Sequence, residues 1–218
     1  MGNTIEPNRR EIYRYLGYRL QTPDERITEN IERCIGKLQE VITPGFVREE
    51  FALDTGAAIS FAGLRVESKS LSRNLRGCTK LVLFAATLGI GPDRLIARAS
   101  VTSPADMVLY QAASAAMIEA WCDEKNAEIK AEAAQHNLYA RPRFSPGYGD
   151  FSLEHQSDII RILQTPKRIG LTLTDALLMV PSKSVTGVIG LSTQEANCPL
   201  AGCEACEKTD CVYRRDTR

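Results

Sequence analysis

The sequence predicts an α+β fold, because helical and extended patterns alternate without the regular strand–helix–strand order of a doubly wound sheet. Residues 80–86 form a short, continuous apolar run, which is typical of a strand buried on both faces. Residues 103–135 begin with Ser103-Pro104 and carry apolar side chains at helical spacing, which indicates one long helix. With 218 residues, 44% of them apolar, the chain can bury a core that needs no disulfide bonds.

The first third of the chain predicts two helices followed by short strands. Pro7 precedes a helical pattern over 9–18, which Gly17 weakens in its last turn. The run Thr22-Pro23-Asp24-Glu25 supplies a cap, a proline and an acidic residue, so we expect a second helix that Thr22 caps and that ends near Pro44-Gly45. Short strands are expected at 46–47, 51–53, 59–61 and 64–66.

The rest of the chain alternates helix and strand around the two segments that define the fold class. A helix is expected from Pro92 to about Ala99, after the glycines that end the buried strand. The helix over 103–135 would span about 45 Å, which is long for a domain of this size, so we expect a break or bend late in it. The remaining predictions are a helical turn or two at 70–76, a loop at 138–150, a helix at 151–164 and extended segments at 171–181 and 184–191.

Charge and hydropathy argue against several classes of protein. The chain has 27 Lys and Arg against 27 Asp and Glu, so it lacks the basic excess of a nucleic-acid binder or of a protein that binds anionic membranes. No apolar signal segment opens the sequence, and no run of 18 apolar residues occurs in it. We therefore expect a cytoplasmic protein with reduced thiols and with neither nucleic acid nor membrane as a partner.

The seven cysteines fall into two groups. Cys34, Cys78 and Cys122 are scattered and are interpreted as small core side chains. The other four follow the pattern Cys198-x4-Cys203-x2-Cys206-x4-Cys211. Four thiols this close, in a reducing compartment, favour a metal site over disulfides, and both zinc and an iron–sulfur cluster suit thiolate ligands. We accordingly expect a main domain over 1–192 and a Cys-rich metal-binding tail over 193–218, with incidental thiols as the alternative.

Two weaker signals favour ordinary structural roles. Gly89 and Gly91 lie between the buried strand and a helix, where a phosphate would fit, but a tight turn explains them equally well and no P-loop lysine follows. His136 and His155 have no nucleophile or orienting acid nearby in the sequence pattern, so we expect surface histidines rather than a catalytic triad.

The most unusual stretch is 141–150, Arg-Pro-Arg-Phe-Ser-Pro-Gly-Tyr-Gly-Asp. Its prolines stiffen the backbone, and its glycines allow a tight turn or a close approach to a ligand. Arginine pairs with carboxylates through two parallel hydrogen bonds, and aromatic faces attract cations. A ligand with a carboxylate and a positive centre, such as S-adenosylmethionine, suits this set of groups, whereas a purely structural loop is the alternative.

Two motifs resemble the reactivation domain of cobalamin-dependent methionine synthase. Arg143-Phe144-Ser145-Pro146-Gly147-Tyr148 matches the Arg-x-x-x-Gly-Tyr motif of that family, and residues 174–187 resemble a second signature. Softer similarities occur at Ile118-Glu119-Ala120-Trp121, at 8–18 and at 77–89. The resemblance spans about residues 8–191, and the segments at 8–18 and 77–89 are similar to those of the short, free-standing members of the family.

This resemblance implies a fold of mixed helices around a central, mainly antiparallel, twisted sheet. It also implies that the chain binds S-adenosylmethionine and serves the reductive remethylation of cob(II)alamin. The cobalamin would be presented by the cobalamin-binding domain of methionine synthase or by a related corrinoid protein, and a flavodoxin-type or other donor would supply the electron. Because no cobalamin module is present in the sequence, the resemblance implies a component of methionine synthase activity rather than a complete enzyme.

The resemblance also assigns roles to individual residues. Arg143 would bind the ligand carboxylate, and Glu119 would lie near the amino-acid end of the ligand. Tyr148 would lie beside the cobalamin face, so Tyr148 and Glu119 are the candidate catalytic residues. The backbone that would hold the adenine and amino-acid parts belongs to Phe144, Ser145 and Gly147. The alternatives are a redox accessory protein that acts through the terminal cysteines and a docking protein without chemistry.

Overall fold

The computed structural model describes residues 4–18, 21–56 and 58–195 and contains, within them, seven helices and eight strands. The helices are α1 (Arg9–Tyr15), α2 (Glu25–Val41), α3 (Lys69–Asn74), α4 (Gly91–Thr102), α5 (Pro104–Gln135), α6 (His155–Leu163) and α7 (Thr165–Ile169). The strands are β1 (Gly45–Ala52), β2 (Ile59–Phe61), β3 (Leu64–Val66), β4 (Cys78–Thr87), β5 (Tyr139–Ala140), β6 (Thr172–Leu173), β7 (Met179–Val180) and β8 (Ser184–Ser192). The predicted α+β class is confirmed.

The described residues group into two compact units. Unit 1 combines the described parts of Met1–Phe46, Ala86–Glu124 and Thr165–Val185. Unit 2 combines the described parts of Val47–Ala85, Lys125–Gln164 and Thr186–Arg218. The chain passes from one unit to the other inside β1, β4, α5 and β8, so each of these elements contributes residues to both, and it crosses once more between α6 and α7.

The main sheet has the strand order β1-β4-β8-β5. The Thr43 N–H donates to the Leu88 carbonyl, and the Leu53 N–H donates to the Thr79 carbonyl, both at 2.9 Å. Along these pairs the residue numbers rise in one strand and fall in the other, which makes β1 and β4 antiparallel.

The other strand pairs of this sheet are antiparallel as well. The Leu88 N–H donates to the Lys183 carbonyl at 2.9 Å, and the Ser192 Oγ donates to the Gly77 carbonyl at 2.8 Å, so β4 and β8 are also antiparallel. Strand β5 pairs antiparallel with β8, with Tyr139 opposite Ser192. The mainly antiparallel sheet that the family resemblance implied is confirmed.

Strand β4 is the buried strand that the apolar run predicts. Leu81, Leu83 and Phe84 are fully buried, and burial continues to the end of the strand at Thr87. The three scattered cysteines, Cys34, Cys78 and Cys122, are also buried and carry free thiols, as expected for small core side chains. The apolar positions of the sequence therefore locate the core correctly.

Some boundaries and one helix differ from the sequence predictions. Asp24 rather than Thr22 caps α2, because its carboxylate accepts from the Ile27 N–H at 2.9 Å. The expected break in the long helix is absent: α5 is a single helix of 32 residues, and no glycine or proline interrupts residues 105–135. Strand β5 and helix α7 were not predicted. No helix in the described part of the chain is long and apolar enough to cross a membrane.

The glycines after β4 are explained by close packing within unit 1. A Cβ at Gly89 would lie 2.0 Å from Thr43 Oγ1, and a Cβ at Gly91 would lie 2.0 Å from the Val41 carbonyl oxygen. Gly89 also has a positive φ of 77°. The turn itself therefore requires both glycines, which is the structural interpretation of this pair.

We predict that Gly91→Ala lowers the free energy of unfolding by more than about 3 kcal/mol, because the added methyl group meets backbone that cannot move aside. The matched control is Gly36→Ala in α2, where a Cβ meets nothing within 4 Å. This control should raise the stability by about 0.5–1 kcal/mol, since alanine favours helix over glycine. Urea unfolding of both variants checks the prediction, and a Gly91→Ala midpoint equal to wild type would contradict it.

Candidate functional site

Residues 141–151 form a loop of unit 2, here called the motif loop, that follows β5 along the edge of β8. The Arg141 N–H donates to the Gly190 carbonyl at 2.8 Å. Phe144 and Val188 exchange two backbone hydrogen bonds, of 2.9 and 2.8 Å, and form an isolated antiparallel bridge. The motif loop is therefore held against β8 at two points.

Glycines in β8 make this close approach feasible. A Cβ at Gly187 would lie 3.0 Å from Ser145 Oγ and 3.0 Å from the Phe84 ring. A Cβ at Gly190 would lie 2.7 Å from Cys78 Sγ and 3.4 Å from the side chain of Arg141. Gly187 ends the second sequence signature and Ser145 lies inside the first, so the structure brings the two signatures into contact.

The motif loop ends in a tight turn that engages much of its own backbone. The Tyr148 N–H donates to the Ser145 carbonyl at 3.2 Å, and the Gly147 N–H donates to the Phe151 carbonyl at 2.8 Å. The Phe144 N–H is already engaged by Val188. A ligand held by the backbone of Gly147 would therefore be held through its carbonyl oxygen, whereas the Phe144 carbonyl already accepts from the Val188 N–H and offers only its second lone pair.

Aromatic rings cluster on the motif loop. The Phe144 ring centroid lies 6.3 Å from that of Tyr148 and 6.3 Å from that of Phe151. Phe151 is buried and stacks on His155 at 5.3 Å, whereas Tyr148 is 62% exposed. The cluster thus anchors one end of the loop in the core and leaves the Tyr148 ring available to a ligand or partner.

Asp150 ties the motif loop to the start of α3. Its carboxylate accepts from Ser68 Oγ at 2.6 Å, from the Lys69 N–H at 2.7 Å and from the Ser70 N–H at 2.9 Å. These donors, the Ser68 hydroxyl first, hold the pKa of Asp150 well below its usual range. Gly149 permits the approach, because a Cβ there would lie 2.5 Å from Ser70 Oγ.

Sequence reasoning missed this role of Asp150. Its hydrogen bonds join residues about 80 positions apart in the chain, so no local sequence pattern predicts them. The one available signal was Ser68, which precedes a short helical pattern and serves as the N-cap of α3 through a 3.0 Å bond from the Leu71 N–H.

The candidate residues fall into both units. Arg143, Phe144, Ser145, Gly147 and Tyr148 all lie on the motif loop of unit 2, where the Arg143 side chain is half-buried.

Glu119 lies on the part of α5 that belongs to unit 1 and is also half-buried. In the same unit, the pKa of Tyr15 is raised, mainly by burial and further by the charge of Glu119. The Arg14 guanidinium lies 4.4 Å from the centroid of the Tyr15 ring. Glu119 therefore has an aromatic and ionic environment of its own in unit 1.

The four cysteines predicted to bind a metal, Cys198, Cys203, Cys206 and Cys211, lie outside the described residues. Within residues 4–18, 21–56 and 58–195, no group of three or more His, Cys, Asp or Glu side chains is arranged to hold a metal ion. The metal prediction therefore stays a prediction.

The fold resembles that of a solved protein domain. The crystal structure described as the MetH reactivation domain bound to AdoHcy superposes with a TM-score of 0.59 and 15% sequence identity, covering 85% of this chain and 76% of that chain. This similarity establishes the fold.

The later part of the sequence matches a known family. Residues 105–209 match the family described as vitamin B12 dependent methionine synthase, activation domain. The matched range includes Glu119, the motif loop and three of the four terminal cysteines. No curated protein matches the chain in sequence. The family predicted from the two signatures is confirmed.

We predict that Asp150→Asn destabilises the chain in a pH-dependent way. Folding lowers the pKa of Asp150, so its ionised form stabilises the fold above the pH where an unfolded aspartate titrates, about 3.9. This stabilisation is lost as the pH falls further. The urea midpoint of the variant should be clearly lower than that of wild type at pH 7, and the two should converge toward pH 2.

The control for this prediction is Asp175→Asn, which removes an exposed carboxylate of unit 1 and should leave the midpoint within error of wild type. A difference between wild type and Asp150→Asn that stays constant from pH 7 to pH 2 would show that the charge of Asp150 does not matter.

Proposed function

We propose that this chain is a reactivation module of cobalamin-dependent methionine synthase, which binds S-adenosylmethionine for the remethylation of a cobalamin held by a partner protein. The observation that carries the proposal is the contact between the two signatures, at Ser145 and Gly187, in a chain whose residues 105–209 match the activation-domain family. The AdoHcy in the similar MetH domain supports the choice of ligand, since AdoHcy is the demethylated form of S-adenosylmethionine.

S-adenosylmethionine would supply the methyl group, which passes to the reduced cobalt while S-adenosylhomocysteine is released. Transfer from a sulfonium is an in-line displacement that needs no general base, so the protein's task is to position the donor. The motif loop suits that task, because two backbone anchors to β8 and the Asp150 carboxylate fix its conformation. A loop held in this way loses little further entropy when a ligand binds.

Two side chains of the motif loop divide the binding between them in this proposal. Arg143 pairs with the ligand carboxylate through two parallel hydrogen bonds. The exposed ring of Tyr148 lies beside the corrin, and the face of an aromatic ring also stabilises the neighbouring sulfonium charge. Glu119 is a separate candidate of unit 1, whose carboxylate has the charge that attracts an ammonium group.

Backbone groups complete the proposed site. The amide hydrogens of Phe144 and Gly147 are engaged within the chain, so Gly147 would offer its carbonyl oxygen, and Phe144 the second lone pair of a carbonyl that already accepts from Val188. Carbonyl oxygens accept hydrogen bonds from the exocyclic amine of adenine and from the ligand ammonium. Ser145 contributes its backbone at the point where the loop packs on Gly187.

The proposed partner is the cobalamin-binding domain of methionine synthase or of a related corrinoid protein. A flavodoxin-type or other donor supplies the electron that reduces cob(II)alamin before methyl transfer. The chain then contributes one component of methionine synthase activity.

We predict that Arg143→Ala weakens S-adenosylmethionine binding by about ten- to a hundredfold, since a charge-assisted pair contributes about 1.5–3 kcal/mol. The matched control is Arg65→Ala in the β2–β3 hairpin, whose side chain is 69% exposed. Isothermal titration with S-adenosylmethionine and with 5′-methylthioadenosine, which lacks the carboxylate, makes the measurement specific. Arg143→Ala should leave the affinity for 5′-methylthioadenosine unchanged. Absence of S-adenosylmethionine binding by wild type would remove the basis of the proposal.

A second candidate function is supported by the spacing of the terminal cysteines. In this proposal the tail over 193–218 is a separate metal-binding segment, in which Cys198, Cys203, Cys206 and Cys211 would hold a cluster that relays an electron from an external donor to the corrinoid partner. The same thiolates would suit structural zinc, which has no redox role.

We predict that protein purified without oxygen carries about one stoichiometric metal site, and that Cys203→Ser or Cys206→Ser loses most of it because a tetrahedral site needs all four thiolates. Metal analysis with visible absorption distinguishes a coloured iron–sulfur cluster from colourless zinc. The control is Cys34→Ala, a core cysteine, which should keep the metal. If the wild-type protein carries no metal, the prediction of a metal site at the tail cysteines is wrong.

A further inference from the structure

The motif loop has one residue more than the stretch of β8 that it faces. Ala140, at the end of β5, pairs with Leu191 of β8, and further along the chain Phe144 pairs with Val188. Between these two pairs, three residues of the motif loop lie opposite two residues of β8. An extra residue of this kind is a β-bulge, which interrupts the regular pairing and redirects the neighbouring side chains. Arg143 is therefore part of a bulge and not of a regular strand.

Pro142, in the middle of this bulge, is held by the last residue of α3. The Asn74 Nδ2 donates to the Pro142 carbonyl at 3.2 Å. The Pro142 carbonyl and the Arg143 N–H belong to one planar peptide unit, which also contains the Arg143 Cα. A hydrogen bond that holds this carbonyl therefore also fixes the point from which the Arg143 side chain leaves the backbone.

The buried Arg141 side chain makes a second contact between the bulge and the end of α3. Its backbone N–H donates to the Gly190 carbonyl at 2.8 Å, and its Nη2 donates to the Arg76 carbonyl at 3.2 Å. The stem of Arg141 passes close to Gly190, where a Cβ would lie 3.4 Å from Arg141 Cγ. The bulge is thus bound to β8 on one side and to the turn after α3 on the other, all within unit 2.

Helix α3 consequently holds the motif loop at two places. The backbone amides at its beginning donate to Asp150, and its last residue, Asn74, donates to Pro142. A helix of six residues is only about 9 Å long, so it sets a short and fixed distance between the two attachments. In the chain, Arg143 and Tyr148 lie between them.

Asn74 makes its contact at a cost to stability. Its Oδ1 is buried and accepts no hydrogen bond from the part of the chain that the structure describes. A buried acceptor without a donor destabilises a fold, and an apolar side chain at this position would avoid that penalty. The hydrogen bond that Asn74 donates to Pro142 therefore explains this residue better than packing does.

We propose that Asn74 is a positioning residue for carboxylate recognition: it acts through Pro142 to hold the bulge in the conformation that directs Arg143 toward the ligand carboxylate. Arg141 is the second support of the same conformation. This inference rests on the proposed function, in which Arg143 pairs with the carboxylate of S-adenosylmethionine. Pairing through two parallel hydrogen bonds depends on direction as well as on distance, so a relaxed bulge weakens it even when Arg143 itself is unchanged.

The test measures binding of S-adenosylmethionine and of 5′-methylthioadenosine to the full chain by isothermal titration. Asn74→Ala should weaken S-adenosylmethionine binding by about three- to tenfold, the effect of one net hydrogen bond. Binding of 5′-methylthioadenosine, which has no carboxylate, should stay unchanged. The matched control is Asn126→Ala in α5, because Asn126 is also a half-buried asparagine of unit 2 whose buried Oδ1 accepts no hydrogen bond from the described residues. This control should bind both ligands as wild type does.

A double-mutant cycle tests whether Asn74 acts through Arg143. In an Arg143→Ala background, Asn74→Ala should cause no further loss of S-adenosylmethionine affinity, whereas two independent effects would add. If Asn74→Ala does not fold, Arg141→Met tests the same bulge, because it keeps the stem beside Gly190 and removes the bond to the Arg76 carbonyl. Arg141→Lys keeps a donor and should bind S-adenosylmethionine within about threefold of wild type.

The outcomes separate this inference from the proposed function. A loss that is selective for S-adenosylmethionine and that disappears in the Arg143→Ala background supports the positioning role. Affinity equal to wild type in the bulge variant overturns it, as does an equal loss for both ligands or an additive effect in the cycle. Each of these three results leaves the proposed function standing, because wild type still binds S-adenosylmethionine. Wild type that does not bind S-adenosylmethionine overturns the proposed function and the positioning role together.

Discussion

The close backbone contact between the motif loop and β8 is the constraint on which the candidate site depends. Phe144 and Val188 can exchange two hydrogen bonds only if the neighbouring strand leaves room, and Gly187 and Gly190 provide that room by lacking a Cβ. Every proposed ligand contact of unit 2 lies within a few residues of this bridge. Gly187, the last residue of the second signature, therefore contributes to the candidate site because it has no side chain and so lets the motif loop pack closely.

Electrostatics fixes the far end of the same loop. The Asp150 carboxylate accepts three hydrogen bonds at the beginning of α3, where the backbone amides are not used by the helix itself. Anions are favoured at a helix N-terminus, and three donors stabilise the ionised form strongly. With one end bridged to β8 and the other bound to α3, the residues between them, including Arg143 and Tyr148, start from a defined conformation before any ligand arrives.

Local sequence patterns predicted the helices and strands that neighbouring residues determine. The apolar run at 80–86 gave the buried β4, and helix-forming residues without glycine or proline gave the long α5. The same reasoning led to an unnecessary break in α5, because the length of a helix is limited by what it packs against and not by the size of an average domain. Thr22 and Asp24 both had the chemistry of a cap, and only the observed bond to Ile27 distinguishes them.

The sequence did not predict the features that depend on hydrogen bonds between residues far apart in the chain. Strand β5 has two residues and the Phe144 bridge has one, so neither leaves a periodic signal in the sequence. The bond from Ser68 to Asp150 and the bond from Lys183 to Gln111 join residues more than 70 positions apart. The family signatures did identify Arg143 and Tyr148 as candidates, because a signature records the outcome of long-range packing that composition cannot show.

The path of the motif loop has a consequence for the solubility of the sheet. The outer edge of β8 would otherwise offer a row of unpaired amide and carbonyl groups, which can recruit a strand from another molecule. Strand β5 and the Phe144 bridge cover part of that edge, and Pro142 and Pro146 on the covering segment have no N–H to offer a further strand. The segment proposed to hold the ligand thereby also protects the sheet against edge-to-edge aggregation.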